Sequence, residues 1–210
     1  MYVPHQFAVT DSGEIEAVLA SLRLGCLVTH DPAGLSATHM PFLYDPARRV
    51  LTAHMALANP HWKRAGEIEA LAIFQGPNAY ISPSWYQAKR ENGRVVPTWN
   101  YEVAHVHGRS HWRQDPDWLV AHVSALSDRH EASRSEPWAV SDAPADYIRG
   151  MAAAIVGLEL TVERVEVTRK MSQNRPQADQ AAVVEGLSSS PAEADREMAA
   201  LMRRVLKPKA

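Results

Sequence analysis

A series of short strand-like runs joined by tight turns constrains this chain more than any other feature of its sequence. The runs 26–30, 35–44 and 50–55 are rich in apolar and β-branched residues, and DPAG and DPARR separate them at hairpin distance. Asp-Pro presets the backbone of a turn, and Gly34 tolerates a positive φ. The pattern therefore predicts an antiparallel β meander.

Two helices interrupt the β pattern before a strand returns. The runs 70–76 and 79–82 continue the meander, and the segments 115–131 and 142–155 then open with an Asp and a nearby Pro, as helices often do. Apolar and polar residues alternate again over 156–172. A final strand that crosses a helical insertion to rejoin an earlier meander predicts a mainly β domain, closed or partly closed into a barrel.

The last segment, 188–210, is expected to be a tail with a short amphipathic helix. Ser190 and Glu193 have the spacing of a capping box. The apolar stripe of this helix favours packing on its own domain or on a partner subunit, and the basic end is a candidate phosphate-binding patch. The stripe consists of Met198, Leu201, Met202 and Val205. The basic cluster consists of Arg203, Arg204, Lys207 and Lys209.

Composition and motifs exclude several classes of protein. The 22 Lys and Arg residues against 24 Asp and Glu residues give a formal charge of -2, without the basic excess of a protein that coats DNA. The lone Cys26 allows no intrachain disulfide, and no apolar run approaches the roughly 18 residues of a membrane span. The start of the chain lacks the pattern of a secretion signal, so a cytoplasmic location without membrane contact is expected. Nucleotide-loop, hydrolase-elbow and CxxC motifs are absent from the sequence.

Histidine is abundant, with ten residues, and His105 and His107 fall on one face of a predicted strand. Such a pair occurs in metal-binding barrels in which a neighbouring strand supplies a third ligand. However, no carboxylate follows closely in the sequence. The pattern favours a polar strand face or a dimer contact over a metal site, and no metal site is predicted.

Aromatic and amide residues are concentrated in AYISPSWY (79–86) and VVPTWNY (95–101), on either side of the polar stretch QAKRENGR. Two neighbouring strands with this content form either a well-packed barrel end or a wall against which a flat ligand lies. Periodicity does not separate these two interpretations.

Several ordered blocks resemble one known family. They are CLVTH (26–30), ATHMPF (37–42), HMALANPHWK (54–63), FQGPNAYISPSWY (74–86), VVPTWNY (95–101), PWAVSDAP (137–144) and KMSQNRP (170–176). Together they are similar to the PaiB-like family of FMN-binding negative transcriptional regulators, from the first residues to about Leu187. The resemblance implies an FMN-binding split β-barrel over 1–187, with a helical insertion at about 115–155. It also implies a homodimer with FMN at the subunit interface.

The resemblance further implies which residues contact the cofactor. Related split-barrel flavoproteins use the second and third strands and the helix that follows them, together with a late basic motif. The first set corresponds to Thr38, His39, Met40, Pro41, His54, Asn59, Trp62 and Lys63. The late motif corresponds to Ser172, Gln173, Asn174 and Arg175. Other interpretations remain open, because His39 and His54 would also serve as buried hydrogen-bonding groups and Asn59 as a helix cap.

The chemistry of these residue types suits FMN. Lys63, Arg175 and the first turn of a short helix over 59–67 are suited to the phosphate, since cations and helix N–H groups bind anions. The strand edge from Thr38 to Pro41 is expected to bind the polar rim of the ring.

Three functions are compatible with the sequence. The first is an FMN-binding transcriptional repressor, in which the basic cluster contacts DNA, although no helix-turn-helix pattern is present. The second is a small flavin-dependent oxidoreductase, for which no catalytic residue is assigned. The third is a haem-binding split barrel. The candidate haem ligands are His39, His54, His105 and His107.

Overall fold

The computed structural model describes residues 1–206, apart from the side chain of Ala65. The strands in this part of the chain are β1 (Ala8–Val9), β2 (Leu24–Asp31), β3 (Gly34–Asp45), β4 (Val50–Ala56), β5 (Glu69–Ile81), β6 (Thr98–Arg113) and β7 (Ile155–Lys170). The helices are α1 (Ser12–Ser21), α2 (His61–Ala65), α3 (Gln87–Glu91), α4 (Pro116–Glu131), α5 (Ala145–Ala152), α6 (Gln177–Ser188) and α7 (Glu193–Val205). A mainly β fold with inserted helices is thereby confirmed, and α4 and α5 separate β6 from β7.

The strands form one sheet in the order β1-β7-β4-β3-β2-β5-β6, and β6 also pairs with β7. Strands β2, β3 and β4 make the predicted antiparallel meander, with Asp31 opposite Gly34 at the first turn and Asp45 opposite Val50 at the second. Because β7 pairs with β4 as well as with β6, the strands from β2 to β7 form a closed ring of pairs. No helix in the described part of the chain is both long and apolar enough to span a membrane.

The residues cluster into two compact units. The first, here called the meander unit, comprises Ser12–Phe74 and His105–Val165. Its core contains fully buried side chains from five strands, and Phe42 and Phe74 meet edge to face with ring centroids 5.1 Å apart. These side chains include Leu27, Phe42, Leu51, Val106, Leu158 and Leu160. Burial of this apolar surface is the main force that holds the unit together.

A buried carboxylate links three parts of the meander unit. Glu159, on β7, accepts hydrogen bonds at 2.7 Å from Arg48, beside the turn between β3 and β4, and at 2.7 Å from Nε of Arg113, at the end of β6. Burial alone would raise the pKa of Glu159, but the hydrogen bonds and charges of the two arginines outweigh it and lower that pKa. The carboxylate is therefore ionised and paired at neutral pH.

The second unit, here called the terminal unit, comprises Met1–Asp11, Gln75–Ala104 and the chain from Glu166 onward. In it β1 pairs with β7, and α6 packs against α7. Its core joins Tyr86 to buried apolar side chains of both helices. Those side chains include Val183, Leu187, Met198, Leu201 and Met202. The apolar stripe predicted for the last helix thus packs within this unit.

Three elements differ from the sequence-based predictions. The runs 70–76 and 79–82 form the single strand β5 despite Gly76 and Pro77. On the β2 side the missing N–H of Pro77 interrupts no ladder bond, because β2 pairs with β5 only from Ala70 to Ile73. The helices α3 and α6 were not predicted, since weak helix formers such as Val and Gly occupy the middle of α6. Gly186 has a packing role, because a Cβ there would lie 2.5 Å from the ring of Trp85.

The start of the last helix also differs in detail. Ser190 Oγ donates to Asp195 at 2.6 Å and accepts from the N–H of Ala192, so its acidic partner is Asp195 and not the predicted Glu193. Lys207 and Lys209 of the predicted basic cluster lie outside the described residues. The boundary between a domain over 1–187 and a tail over 188–210 stays a prediction.

Candidate functional site

A chain of hydrogen-bonded side chains lies in the meander unit where α2 meets β2 and β3. His61, the first residue of α2, is 3% exposed. Its Nε2 atom lies 2.8 Å from Oγ1 of Thr29, and its Nδ1 atom lies 2.7 Å from Oγ1 of Thr38. Burial lowers the pKa of His61, and the charge of Arg64 lowers it further. The ring is therefore neutral near pH 7, with a threonine hydroxyl at each nitrogen.

Asn59 connects this chain to the backbone. Its Oδ1 atom accepts from the N–H of His61 at 3.0 Å, and its Nδ2 atom donates to Oγ1 of Thr38 at 3.3 Å. The sequence assigned Asn59 to cap a helix over 59–67, whereas α2 begins at His61, after Pro60. Asn59 nevertheless bonds to a first-turn N–H, and it adds the contact to Thr38 across to β3.

One edge of β3 lies open beside this cluster. Residues 34–41 of β3 pair with β2, whereas the regular pairing with β4 runs only from Phe42 to Asp45. Beyond Ala53, β4 continues along β7, with His54 opposite Gly157. Over 34–41 the second edge of β3 therefore has no regular strand partner among the described residues. Its backbone N–H and C=O groups are of the kind that bind the rim of a polar ligand.

The cofactor residues predicted on β3 divide between the two faces of the strand. Thr38 is half-buried and Met40 is 2% exposed, on the side from which His61 approaches. His39 is exposed and Pro41 is half-buried. Because successive side chains of a strand point to opposite faces, only Thr38 and Met40 lie on the same side as the hydrogen-bonded chain.

Trp62 and Lys63 follow His61 on α2. The indole N–H of Trp62 donates to the carbonyl of Leu57 at 3.0 Å, which orients the ring. The ammonium of Lys63 lies 5.4 Å from the centroid of that ring and is exposed. Lys63 has no carboxylate partner among the described residues, so its charge is available to an anion.

His54 is engaged by the helical insertion instead of by the other predicted cofactor residues. Its Nδ1 atom lies 3.1 Å from Nε2 of His122 on α4, and Trp118 stacks on His122 with ring centroids 5.2 Å apart. Gly157 makes room for this stack, because a Cβ there would lie 2.1 Å from the Trp118 ring. Burial lowers the pKa of His54, and burial with the nearby His54 lowers the pKa of His122 to about 4. Both rings are neutral at pH 7.

The late predicted motif lies in the terminal unit, where Ser172 and Gln173 are hydrogen-bonded to other groups of the protein. Ser172 is buried with a positive φ of 62°, and its hydroxyl exchanges hydrogen bonds with the side chain of Asn100 at 3.0 and 3.3 Å. Gln173 accepts from the N–H of Met171 at 2.6 Å and donates to the carbonyl of Arg169. Asn174 is exposed.

Arg175 is the one member of that motif with a half-exposed charge. Its guanidinium lies over the ring of Tyr86, 4.8 Å from the centroid, and has no carboxylate partner among the described residues. Burial raises the pKa of Tyr86, although the charge of Arg175 opposes the rise. Nearby, Asp179 is 2% exposed and accepts from the N–H of Gln87 at 2.8 Å. Arg175 thus combines a fixed position with an available charge.

The remaining candidates are spread over both units. In the meander unit His105 and His107 are half-buried, with ring centroids 6.4 Å apart. In the terminal unit Arg203 donates to Oγ of Ser188 at 2.6 Å, and Arg204 is exposed. Haem ligation by any histidine and DNA binding by the basic cluster both stay predictions.

Sequence reasoning missed the two most buried histidines of the meander unit. His61 stands inside HMALANPHWK, where only its neighbours are predicted cofactor residues, and His122 stands inside a helix without a predicted function. A signal for His122 was present, because Trp118 precedes it by four residues and so shares its helix face. No local signal identifies His61, whose two threonine partners come from distant strands.

Comparison with known proteins gives consistent results. Residues 1–164 match the model of the family described as a putative FMN-binding domain. The chain is 33% identical to protease synthase and sporulation protein PAI 2 of Bacillus subtilis, over 99% of both chains.

Solved structures share the fold at low sequence identity. The FAD and haem binding protein from Mycobacterium smegmatis superposes with a TM-score of 0.59 at 14% identity, covering 83% of this chain and 78% of the other. The flavocytochrome Anf3 from Azotobacter vinelandii gives a TM-score of 0.60 at 13% identity, covering 84% and 76%. The predicted resemblance is confirmed: the chain belongs to the putative FMN-binding domain family and has the flavin-type split-barrel fold.

Proposed function

We propose that this protein binds FMN along the open edge of β3, next to the side chains of Thr38 and Asn59. The observation that carries the proposal is the unpaired edge over residues 34–41, flanked by a fixed chain of polar side chains. Backbone groups of such an edge and a few oriented polar side chains are what the rim of a flavin ring requires. Membership of the family supports the same cofactor.

We further propose Lys63 as a contact to the phosphate of FMN. The ammonium is exposed, has no carboxylate partner in the described part of the chain, and stands on the helix that follows β4. Arg175, in the terminal unit, is a second candidate for the same role because its guanidinium is positioned by Tyr86 and is equally unpaired with a carboxylate in that part. A charge-assisted hydrogen bond contributes about 1.5–3 kcal/mol, so loss of the phosphate contact weakens binding about tenfold or more.

Titration of FMN and of riboflavin into cofactor-free protein, followed by flavin fluorescence, tests both steps. Wild type should quench FMN saturably. Lys63→Ala and the double variant should weaken FMN binding by about tenfold or more while leaving riboflavin binding unchanged, because riboflavin has no phosphate. Arg175→Ala alone tests the alternative placement of the phosphate. Lys89→Ala is the matched control, since Lys89 is an exposed lysine bonded to Ser84.

The outcomes separate the claims. Absence of saturable quenching by wild type would contradict FMN binding itself. Unchanged FMN affinity in the double variant would contradict the phosphate placement while leaving the cofactor in place. A double variant no weaker than the stronger single variant would assign the phosphate contact to one cation alone.

The absorption spectrum of the loaded protein tests the haem alternative. Solved proteins with this fold include an FAD and haem binding protein and a flavocytochrome, so the fold accommodates both groups. Reconstitution with FMN and with haem in parallel should give a flavin spectrum and no stable haem complex. A haem complex that survives gel filtration would contradict the assignment. Its loss in an alanine variant of His39, His54, His105 or His107 would identify the ligand.

We also propose that the protein acts as a homodimer. Large apolar side chains are exposed in each unit, such as Leu24 at 63% and Leu35 at 75% in the meander unit and Val96 at 66% in the terminal unit. Exposed apolar surface of this kind is commonly covered by a partner. Light scattering at micromolar concentration should give twice the chain mass, and a monomer would exclude the dimer.

A regulatory role through DNA is the proposed use of the basic cluster. Arg204 is exposed at the end of α7, whereas the apolar side chains of that helix, such as Met198 and Met202, are buried. Deleting the helix would therefore damage the core around Met198 and Met202. Changing Arg203, Arg204, Lys207 and Lys209 to Ala keeps the helix and removes four charges.

DNA retention by wild type and by this fourfold variant should be compared over a range of salt concentrations. Wild type should show a steep decline of affinity with salt, and the variant should show weaker binding with a shallower slope, because fewer phosphates are neutralised. Equal binding and equal slopes would exclude the cluster as the DNA contact.

A further inference from the structure

We infer that Thr29 and His61 fix the hydroxyl of Thr38 as a hydrogen-bond donor, which meets an acceptor atom of the bound flavin. The inference rests on the proposed FMN site and adds which kind of cofactor atom its hydrogen-bonded side chains select. Thr29 and His61 are positioning residues here, since they act through Thr38. Four side chains of the meander unit form the chain of donors and acceptors that leads to this hydroxyl.

The first step fixes the amide of Asn59. A backbone N–H is always a donor, so the atom of Asn59 that faces the N–H of His61 at 3.0 Å is the amide oxygen. The amide nitrogen then faces Oγ1 of Thr38 at 3.3 Å and donates to it. One lone pair of the Thr38 hydroxyl is thereby occupied.

The second step fixes the proton on the imidazole of His61. Thr29 is 3% exposed, and its hydroxyl has Nε2 of His61 as its only hydrogen-bond partner among the described residues. If Nε2 carried the proton, the hydroxyl hydrogen of Thr29 would be buried without an acceptor, which is costly. Thr29 therefore donates to Nε2, and the neutral ring carries its proton on Nδ1.

The third step follows at Thr38. Nδ1–H of His61 donates to Oγ1 of Thr38 at 2.7 Å, so the hydroxyl accepts from both His61 and Asn59. Its own hydrogen has no acceptor among the described residues, and the side chain is half-buried beside the open edge of β3. The hydroxyl of Thr38 is thus a committed donor, and its hydrogen is left for a ligand acceptor.

A committed donor selects an acceptor. The rim of the flavin ring offers ring nitrogens and carbonyl oxygens as acceptors, and the phosphate offers oxygens only. In either case the group that meets the Thr38 hydroxyl is an acceptor atom that carries no hydrogen. Comparison of FMN with riboflavin identifies which part of the cofactor supplies it.

The tautomer of His61 can be measured without any flavin. In FMN-free protein labelled with ¹⁵N-histidine, correlation of the ring nitrogens with the ring protons at pH 7.5 should show the proton of His61 on Nδ1, with His61→Gln identifying the signal. A proton on Nε2 would overturn the inference whether or not FMN binds. This measurement separates failure of the inference from failure of the proposed function.

Binding measurements test the consequence. Thr29→Val removes the donor to Nε2 while keeping the shape of the side chain, so Thr38 is no longer held as a donor. Affinity for FMN should fall about tenfold and the absorption maximum of the bound flavin should shift. Thr29→Ser should restore both. Thr52→Val, a half-buried threonine on β4, is the matched control and should bind as wild type does.

Thr38→Val locates the acceptor. Weaker binding of both FMN and riboflavin would place the acceptor on the ring, and weaker binding of FMN alone would place it on the phosphate. Either result agrees with the inference. Wild-type affinity for both ligands in Thr38→Val, or wild-type affinity and spectrum in Thr29→Val, would overturn it.

Discussion

The two segments assigned to one cofactor from the sequence use their polar side chains in different ways. Around Thr38 in the meander unit, side chains from β2, β3 and the start of α2 bond to one another and leave one hydroxyl hydrogen unmatched. Around Ser172 in the terminal unit, the hydroxyl and the amide of Asn100 satisfy each other in a buried pair. The first arrangement faces an open strand edge, and the second lies within a core.

This difference shows that residue type and family position do not separate binding from folding. Thr38 and Ser172 are both hydroxyl residues in ordered family blocks. Of these two, only Thr38 has a hydroxyl hydrogen without an acceptor among the described residues. Changes around Ser172 should therefore act mainly on stability, and changes around Thr38 mainly on ligand affinity.

Asn100→Ala should cause the largest loss of stability. The side chain is fully buried and its amide bonds to Ser172, so truncation leaves a cavity and a buried hydroxyl without its partner. We expect the free energy of unfolding to fall by about 2–4 kcal/mol. Urea unfolding followed by circular dichroism would measure it. Asn78→Ala, at an exposed position in the same unit where the side chain bonds to Trp99 and Gly76, should cost no more than about 1 kcal/mol.

Acidification should reveal the buried imidazole pair of the meander unit. His122 has a pKa of about 4 in the folded protein against an ordinary value of 6.5, so between these values the unfolded chain binds a proton that the folded chain does not. Stability is then full above pH 6.5 and falls as the pH drops towards 4, by about 1–3 kcal/mol. His54 and His61 add to the same slope, since their pKa values are also lowered.

Chemical unfolding between pH 7.5 and 4.5 measures this slope. His122→Gln has no titrating ring, so its stability should decline less over that range than that of wild type. The range lies above the lowered pKa of Glu159, whose pairing with Arg48 and Arg113 is lost only at more acidic pH. Equal slopes for the two proteins would remove His122 from the pH dependence.

Asn59→Ala should have a smaller effect on folding than Asn100→Ala. Its amide bonds to the first turn of α2 and to Thr38, both at a half-buried position. Loss of a bond of this kind costs about 1 kcal/mol. Thermal unfolding of the two variants in parallel would rank them. A loss from Asn59→Ala as large as that from Asn100→Ala would remove the contrast between the two segments.

Asn174→Ala should have the smallest effect. The side chain is exposed and lies beside residues that are held by the core, so we expect a change in stability within about 0.5 kcal/mol. Flavin titration of the same variant sharpens the comparison, because a selective loss of FMN affinity would support Asn174 as a cofactor contact.

The local parts of the fold followed from the sequence, and the long-range parts did not. The Asp-Pro turns gave the meander, because turn chemistry is encoded within four residues. The strand β5 was divided in two since Gly76 and Pro77 usually end strands, and nothing local shows that pairing with β2 stops at Ile73. The helix α6 was not predicted from the sequence, because its stability comes from packing against Trp85 and α7.

The site shows the same division. Asn59 was assigned as a cap from its neighbours in the sequence, and it does bond to the first turn of α2. The roles of His61 and Thr29 depend on residues 32 positions apart, and the pairing of His54 with His122 spans 68 positions. Family blocks identified the segments that matter, whereas hydrogen-bond partners required the folded chain.

The discontinuous makeup of the terminal unit also governs when it forms during synthesis. Its parts are Met1–Asp11, Gln75–Ala104 and the chain from Glu166 onward, whereas the meander unit is complete at Val165. The ribosome adds about 5–20 residues per second, so the segment around Tyr86 waits roughly 5–20 seconds for α6 and α7 to emerge. During that interval its apolar side chains have no cover, and chaperones are the natural protection. A premature stop before α7 would make that exposure permanent and turn a delay into aggregation.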